Sequence, residues 1–185
     1  MIAATTPVCT MLLLLLLLAV ASDLRSRRIP NALVLVGLGC AVLLNWLAWL
    51  TGHSAASGPQ WWTPLAGAAA GLGVLMPLYL LNACGAGDVK LMAMVGAFIG
   101  PVAALTAAMY TIAAGGLLSL VFMFVRGVPA QTLANVRYML SDLAQRAATG
   151  QGGGLAPLDY TAARLPYAVA IALGTGAALI WPLGR

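Results

Sequence analysis

The sequence predicts an all-α integral membrane protein, a single domain over 1–185 with about six transmembrane helices and both termini outside. Three observations predict it. Of 185 residues, 62% are hydrophobic and only 7% charged, where soluble domains carry about a quarter charged. Apolar stretches of membrane-crossing length recur along the chain, and its mean hydropathy is +0.98. The basic residues stand between those stretches and not inside them.

The first span covers 7–22 and contains a leucine run at 12–18. "AVA" at 19–21 imitates a signal-peptide cleavage site, but residues 1–11 hold no Lys or Arg, so no basic n-region precedes it. Positive charge follows the span instead, at Arg25, Arg27 and Arg28. That order predicts an uncleaved helix whose N-terminus is outside and whose residues from 23 onward meet the cytoplasm. A second span at 32–51 leads into a Gly/Ser/Pro-bearing loop at 52–60, closed by Trp61 and Trp62 as an interfacial anchor. The third span, 63–82, contains "AGAAAGLG", whose small side chains suit close helix packing.

A short fourth helix fits 88–99, "GP" at 100–101 breaks it, and 102–125 forms the fifth span. Residues 126–164 are the one long polar segment. In it Leu133, Val136, Leu140, Leu143 and Ala147 recur at helical spacing opposite Gln131, Asn135, Asp142 and Arg146. The pattern predicts a cytoplasmic surface loop containing an amphipathic helix that lies on the membrane. "GQGGG" at 150–154 is a joint, and 166–182 is the last span. In this topology Arg25, Arg27, Arg28, Lys90, Arg126, Arg137, Arg146 and Arg164 are cytoplasmic, and only Arg185 and His53 lie outside.

A net charge of +5 does not indicate nucleic acid, because no basic stretch is interleaved with aromatics; headgroup contact and topology explain it. Cys9, Cys40 and Cys84 are scattered and form no CxxC, so no metal site or disulfide framework is expected.

The chain has no Glu and four aspartates, Asp23, Asp88, Asp142 and Asp159. Asp142 lies four residues before Arg146, the spacing of a solvated pair, and Asp159 suits a turn cap. Asp23 and Asp88 fall at the same side of the predicted membrane. Two neighbouring carboxylates cannot both ionise cheaply and share a proton, which equips them to split an amide. One takes a proton from water; the other polarises the scissile carbonyl and then protonates the leaving amine. Each also has a structural explanation. Asp88 fits a helix cap, and Asp23 fits pairing with Arg25, Arg27 or Arg28. A transporter or channel that moves protons or cations through the pair is the alternative from another class. Against it, both acids lie at span boundaries and none lies mid-span.

"GAGD" at 85–88 with "VKLMAMVGAFIG" after it, Asp23 with "RRIPN" at 27–31, and "LPYAVAIALG" at 165–174 resemble, in order, the conserved blocks of type IV prepilin peptidases. The resemblance implies a multi-pass aspartyl endopeptidase of the bacterial inner membrane, with Asp23 and Asp88 catalytic. Its partners would be membrane lipids and prepilins or pilin-like subunits, each a short basic leader followed by a hydrophobic helix, cut on the cytoplasmic side. Long members of that family carry a cysteine-rich insertion and methylate the new pilin terminus. This chain has no such insertion, so it resembles the short tight-adherence (Flp-type) members, with no cofactor, metal or methyltransferase activity expected. Gly85 and Gly87 would let the backbone turn tightly near a substrate strand. Lys90 would contact headgroups or orient substrate, and Pro166 and Tyr167 would line the substrate cleft.

Overall fold

The computed structural model describes residues 2–53, 55–80, 84–125, 134, 137, 138, 141, 145 and 167–182. Among the described residues six helices are defined: α1 (Ile2–Ser26), α2 (Asn31–Leu50), α3 (Thr63–Leu80), α4 (Ala86–Ile99), α5 (Pro101–Val125) and α6 (Tyr167–Ile180). Four of them, α1, α2, α3 and α5, are long and apolar enough to cross a membrane. α4 and α6 have 14 residues each, about 21 Å of helix against a hydrocarbon core of roughly 30 Å. Leu133, Val136, Leu140, Leu143 and Ala147, which carry the amphipathic expectation at 126–164, lie outside the described residues.

The boundaries follow local chemistry. Pro30 has extended backbone and precedes the first residue of α2, where a missing N–H costs nothing. The Thr63 hydroxyl donates to the Gln60 carbonyl at 2.7 Å at the start of α3. Between α4 and α5 the chain turns at Gly100, with φ of 83°, and a Cβ there would also overlap the Ser57 carbonyl. Pro101 then opens α5 at the position where proline fits a helix best.

α4 is the axis of the bundle. Every residue from 91 to 100 is buried, and α4 contacts all five other helices. Its apolar side chains on every face leave it no solvent or lipid side, so burial is the stable solution. Close approach is achieved with small residues. Gly67 of α3 and Gly96 of α4 face each other so tightly that a Cβ on either would overlap the other's carbonyl. Gly71 similarly abuts the Met92 carbonyl, and Gly37 of α2 seats the Met94 side chain. With little hydrophobic drive between helices in lipid, such van der Waals contact supplies much of the cohesion.

One end of the bundle is tied by polar groups. Asn45, 3% exposed, donates through Nδ2 to the Ala41 carbonyl at 2.8 Å and accepts the Ser57 N–H at 3.0 Å. The Ser57 and Thr63 hydroxyls bond to each other at 3.0 Å. These bonds pin the α2–α3 loop over the end of α4. The opposite end gathers the α1–α2 turn and the starts of α4 and α6.

Candidate active site

α1 extends to Ser26, four residues past the end of the predicted first span, so Asp23 lies within its last turns and not beyond them. Asp23 is only 7% exposed. The helix ends when the Arg27 N–H donates back to the Asp23 carbonyl at 2.8 Å. Arg27 has φ of 51° and is the one non-glycine at positive φ among the described residues. This left-handed closure is the usual helix stop, and without glycine it costs about 1–2 kcal/mol. Serine side chains hold the turn: Ser22 Oγ and Ser26 Oγ donate to the Arg28 carbonyl at 3.0 and 3.2 Å.

A carboxylate in the last turn of a helix faces the unfavourable end of its dipole. Here a second helix supplies compensation: the Ala168 N–H, in the first turn of α6, donates to Asp23 Oδ2 at 3.2 Å. Among the described residues Asp23 forms no ion pair with Arg25, Arg27 or Arg28. The arginine pairing considered from sequence is replaced by a backbone donor.

Asp88 is in the first turn of α4. Its Oδ2 accepts the Gly85 N–H at 2.9 Å, while its own N–H donates to the Gly85 carbonyl at 3.0 Å. Asp88 is therefore a cap as well as a partly exposed carboxylate. Neither Gly85 nor Gly87 has positive φ. The turn does not need their conformational freedom, and what they provide is space. A Cβ at Gly85 would sit 3.2 Å from Asp88 Oδ2, whereas one at Gly87 would meet Ile29 at an ordinary 3.4 Å.

Both aspartates line one open cavity of about 370 Å³, together with Arg27, Arg28, Asn31 and Lys90. Lys90 Nζ donates to Asn31 Oδ1 at 3.1 Å and ties the starts of α4 and α2 together across the cavity. Cys84 adjoins the site from the α3–α4 connection. Burial first, then the Asp88 charge, pushes its thiol up to about 11, so at neutral pH it is a neutral thiol and not a nucleophile. The Tyr167 ring packs against Gly115 of α5. Pro166 lies outside the described residues.

The chain matches the type IV leader peptidase family over residues 10–120, more than half its length and including both cavity aspartates. It belongs to the type IV leader peptidase family. Members are aspartic prepilin peptidases, and this peptidase is accordingly a multi-pass membrane enzyme whose family acts on prepilins. Comparison with curated proteins and with solved structures found no match.

Sequence reasoning missed the Ala168 amide, because a backbone donor has no residue type to betray it. The only signal was that its segment, "YAVA", follows Pro166 in the last predicted span. For the leader peptidase, the glycine geometry makes a graded prediction. Gly85→Ala crowds the Asp88 carboxylate and is expected to slow leader removal about tenfold or more. Gly87→Ala is expected to stay within about twofold, roughly three-tenths of the 1.4 kcal/mol that a tenfold step represents. Rates from a gel-shift time course on membranes with equal enzyme levels check both.

Proposed function

We propose that this peptidase hydrolyses the bond at the end of a short basic prepilin leader, with Asp23 and Asp88 as its acid–base pair. The observation that carries the reading is that two aspartates far apart in sequence line the same cavity, at the mouth of an otherwise apolar bundle. The ionised carboxylate accepts a proton from water as the water oxygen attacks the scissile carbonyl. The protonated carboxyl donates a hydrogen bond to that carbonyl oxygen, and its proton leaves with the amine when the C–N bond breaks.

The cavity opens at the bundle end that carries Arg25, Arg27, Arg28 and Lys90, the end the positive-inside rule assigns to the cytoplasm. All six helices then serve as spans, with α4 and α6 seated against longer neighbours. The substrate is a prepilin or pilin-like subunit of the bacterial inner membrane, with its hydrophobic helix against the spans and its leader at the cytoplasmic mouth. Enzyme and leader are both basic, so charge attraction contributes no affinity. Recognition comes from apolar packing, with anionic lipid gathering both partners. The short α1–α2 turn leaves the enzyme as the protease-only, Flp-type form.

The test is to reconstitute the full chain with an Flp-type prepilin in bilayer nanodiscs and weigh the product. A mass loss equal to the leader alone is expected, with no added methyl group when S-adenosylmethionine is supplied. Correctly inserted enzyme that leaves the leader in place overturns the proposal.

A further inference from the structure

We propose that Arg27 is a substrate-binding residue of the cavity, its guanidinium receiving backbone carbonyl oxygens of the extended substrate segment beside the scissile bond. The inference rests on the proposed roles of Asp23 and Asp88.

Arg27 is the first residue after α1. Its φ of 51° lies in the left-handed region, where glycine is the residue that fits without strain. Bonds on both sides fix it there. Its N–H donates to the Asp23 carbonyl at 2.8 Å, and the carbonyl of the next residue, Arg28, accepts both serine hydroxyls. A non-glycine residue held in this conformation points to a use for its side chain. Arg27 lines the same cavity as both aspartates. Among the described residues its side chain forms no hydrogen bond and no ion pair, although two carboxylates share the cavity with it. Lys90, by contrast, is engaged by Asn31. Arg28 also lines the cavity, but without the left-handed backbone.

The chemistry of the occupant follows from the proposed reaction. A segment drawn out of a helix for cutting exposes carbonyl oxygens that have lost their helical donors. A guanidinium carries five N–H donors in a planar fork and no acceptor, so it suits those oxygens. The basic side chains of a leader offer it only repulsion. What it takes is therefore backbone, which every substrate presents. A carbonyl held there sets the neighbouring peptide bond against Asp23, one helical turn before Arg27.

The test compares wild type, Arg27→Gly, Arg27→Lys and Arg25→Gln as full chains with an Flp-type prepilin, in nanodiscs of phosphatidylcholine and again with anionic phosphatidylglycerol added. Glycine suits the left-handed turn, so the Arg27→Gly chain is expected to unfold at or above the wild-type temperature. Its kcat/KM is expected to fall about tenfold to a hundredfold in both lipids, the range of one hydrogen bond to a charged group. Stability and activity thus move apart, which a merely structural residue would not produce. Arg27→Lys, or guanidinium ion added to the glycine chain, is expected to restore part of the loss. Arg25→Gln removes the same charge from an exposed position outside the cavity and is expected to stay within about twofold. Should the glycine chain insert poorly, Arg27→Asn serves, since asparagine tolerates this backbone best after glycine. Wild-type activity without the arginine, activity lost only in step with stability, or a loss that neither lysine nor guanidinium relieves overturns the inference. So does a loss confined to the anionic bilayer, which would make Arg27 a headgroup contact. Asp23→Asn and Asp88→Asn run alongside. Cleavage by either at the wild-type rate removes the paired-aspartate reading itself, an outcome distinct from a null effect at Arg27.

Discussion

Asp88→Asn and Asp23→Asn, each alone, are expected to slow leader removal by about 10²–10⁴-fold, the usual worth of one positioned acid or base. Neither is expected to disturb insertion. An asparagine at 88 keeps a side-chain oxygen that can accept the Gly85 N–H, so the start of α4 stays capped. An asparagine at 23 can likewise accept the Ala168 N–H. What both lose is the ability to carry or release a proton. The double variant should be little slower than either single one, because two members of one proton-sharing unit fail together. Initial rates on equal amounts of inserted protein decide this. Residual activity near the wild-type value in either variant would exclude that aspartate from the chemistry.

The second large effect lies away from the cavity. Gly96→Val is expected to destabilise the bundle by about 3 kcal/mol or more, at or beyond the usual range for overpacking. Its added carbons meet the Gly67 carbonyl, which is backbone and cannot swing aside as a side chain would. The helices must separate, and α4 carries Asp88 at its other end, so cleavage should fall with stability. Gly73→Ala on α3 is the contrast. A Cβ there meets nothing within 4 Å, and replacing a helical glycine should gain up to about 1 kcal/mol. Thermal unfolding in detergent, followed by loss of near-UV signal, ranks the three proteins. A Gly96→Val chain as stable as wild type would mean that the α3–α4 contact is looser than described.

Much of this was legible in the residues. Apolar length gave the four long helices, and the Gly100–Pro101 break gave the end of α4. Asp88 gave a helix start, because a carboxylate between a glycine pair and a long apolar run is stabilised where orphan amides meet it. The central position of α4 was not legible. Its composition is apolar on every side, but so is that of a helix facing lipid, and periodicity cannot separate the two. The environment of Asp23 was not legible for a related reason. Its nearest cations in sequence are arginines, yet its donor comes from 145 residues away, through a backbone group that any residue except proline would supply. Asn45 escaped notice because one amide in an apolar run reads as noise until the loop that it anchors is seen.

The seating of α4 bears on how the enzyme is made. A 14-residue helix with no lipid-facing side has no stable place in a bilayer by itself. While only α1, α2 and α3 are threaded, Asp23 is in the membrane but its partner is not, and the α6 amide that holds it has not been synthesised. The carboxylate pair comes into being only as α5 closes over α4 and α6 docks. On the proposed roles of Asp23 and Asp88, a nascent chain is expected to cut nothing until α6 docks, so the order of assembly would do for this protease what an inhibitory propeptide does for a secreted one.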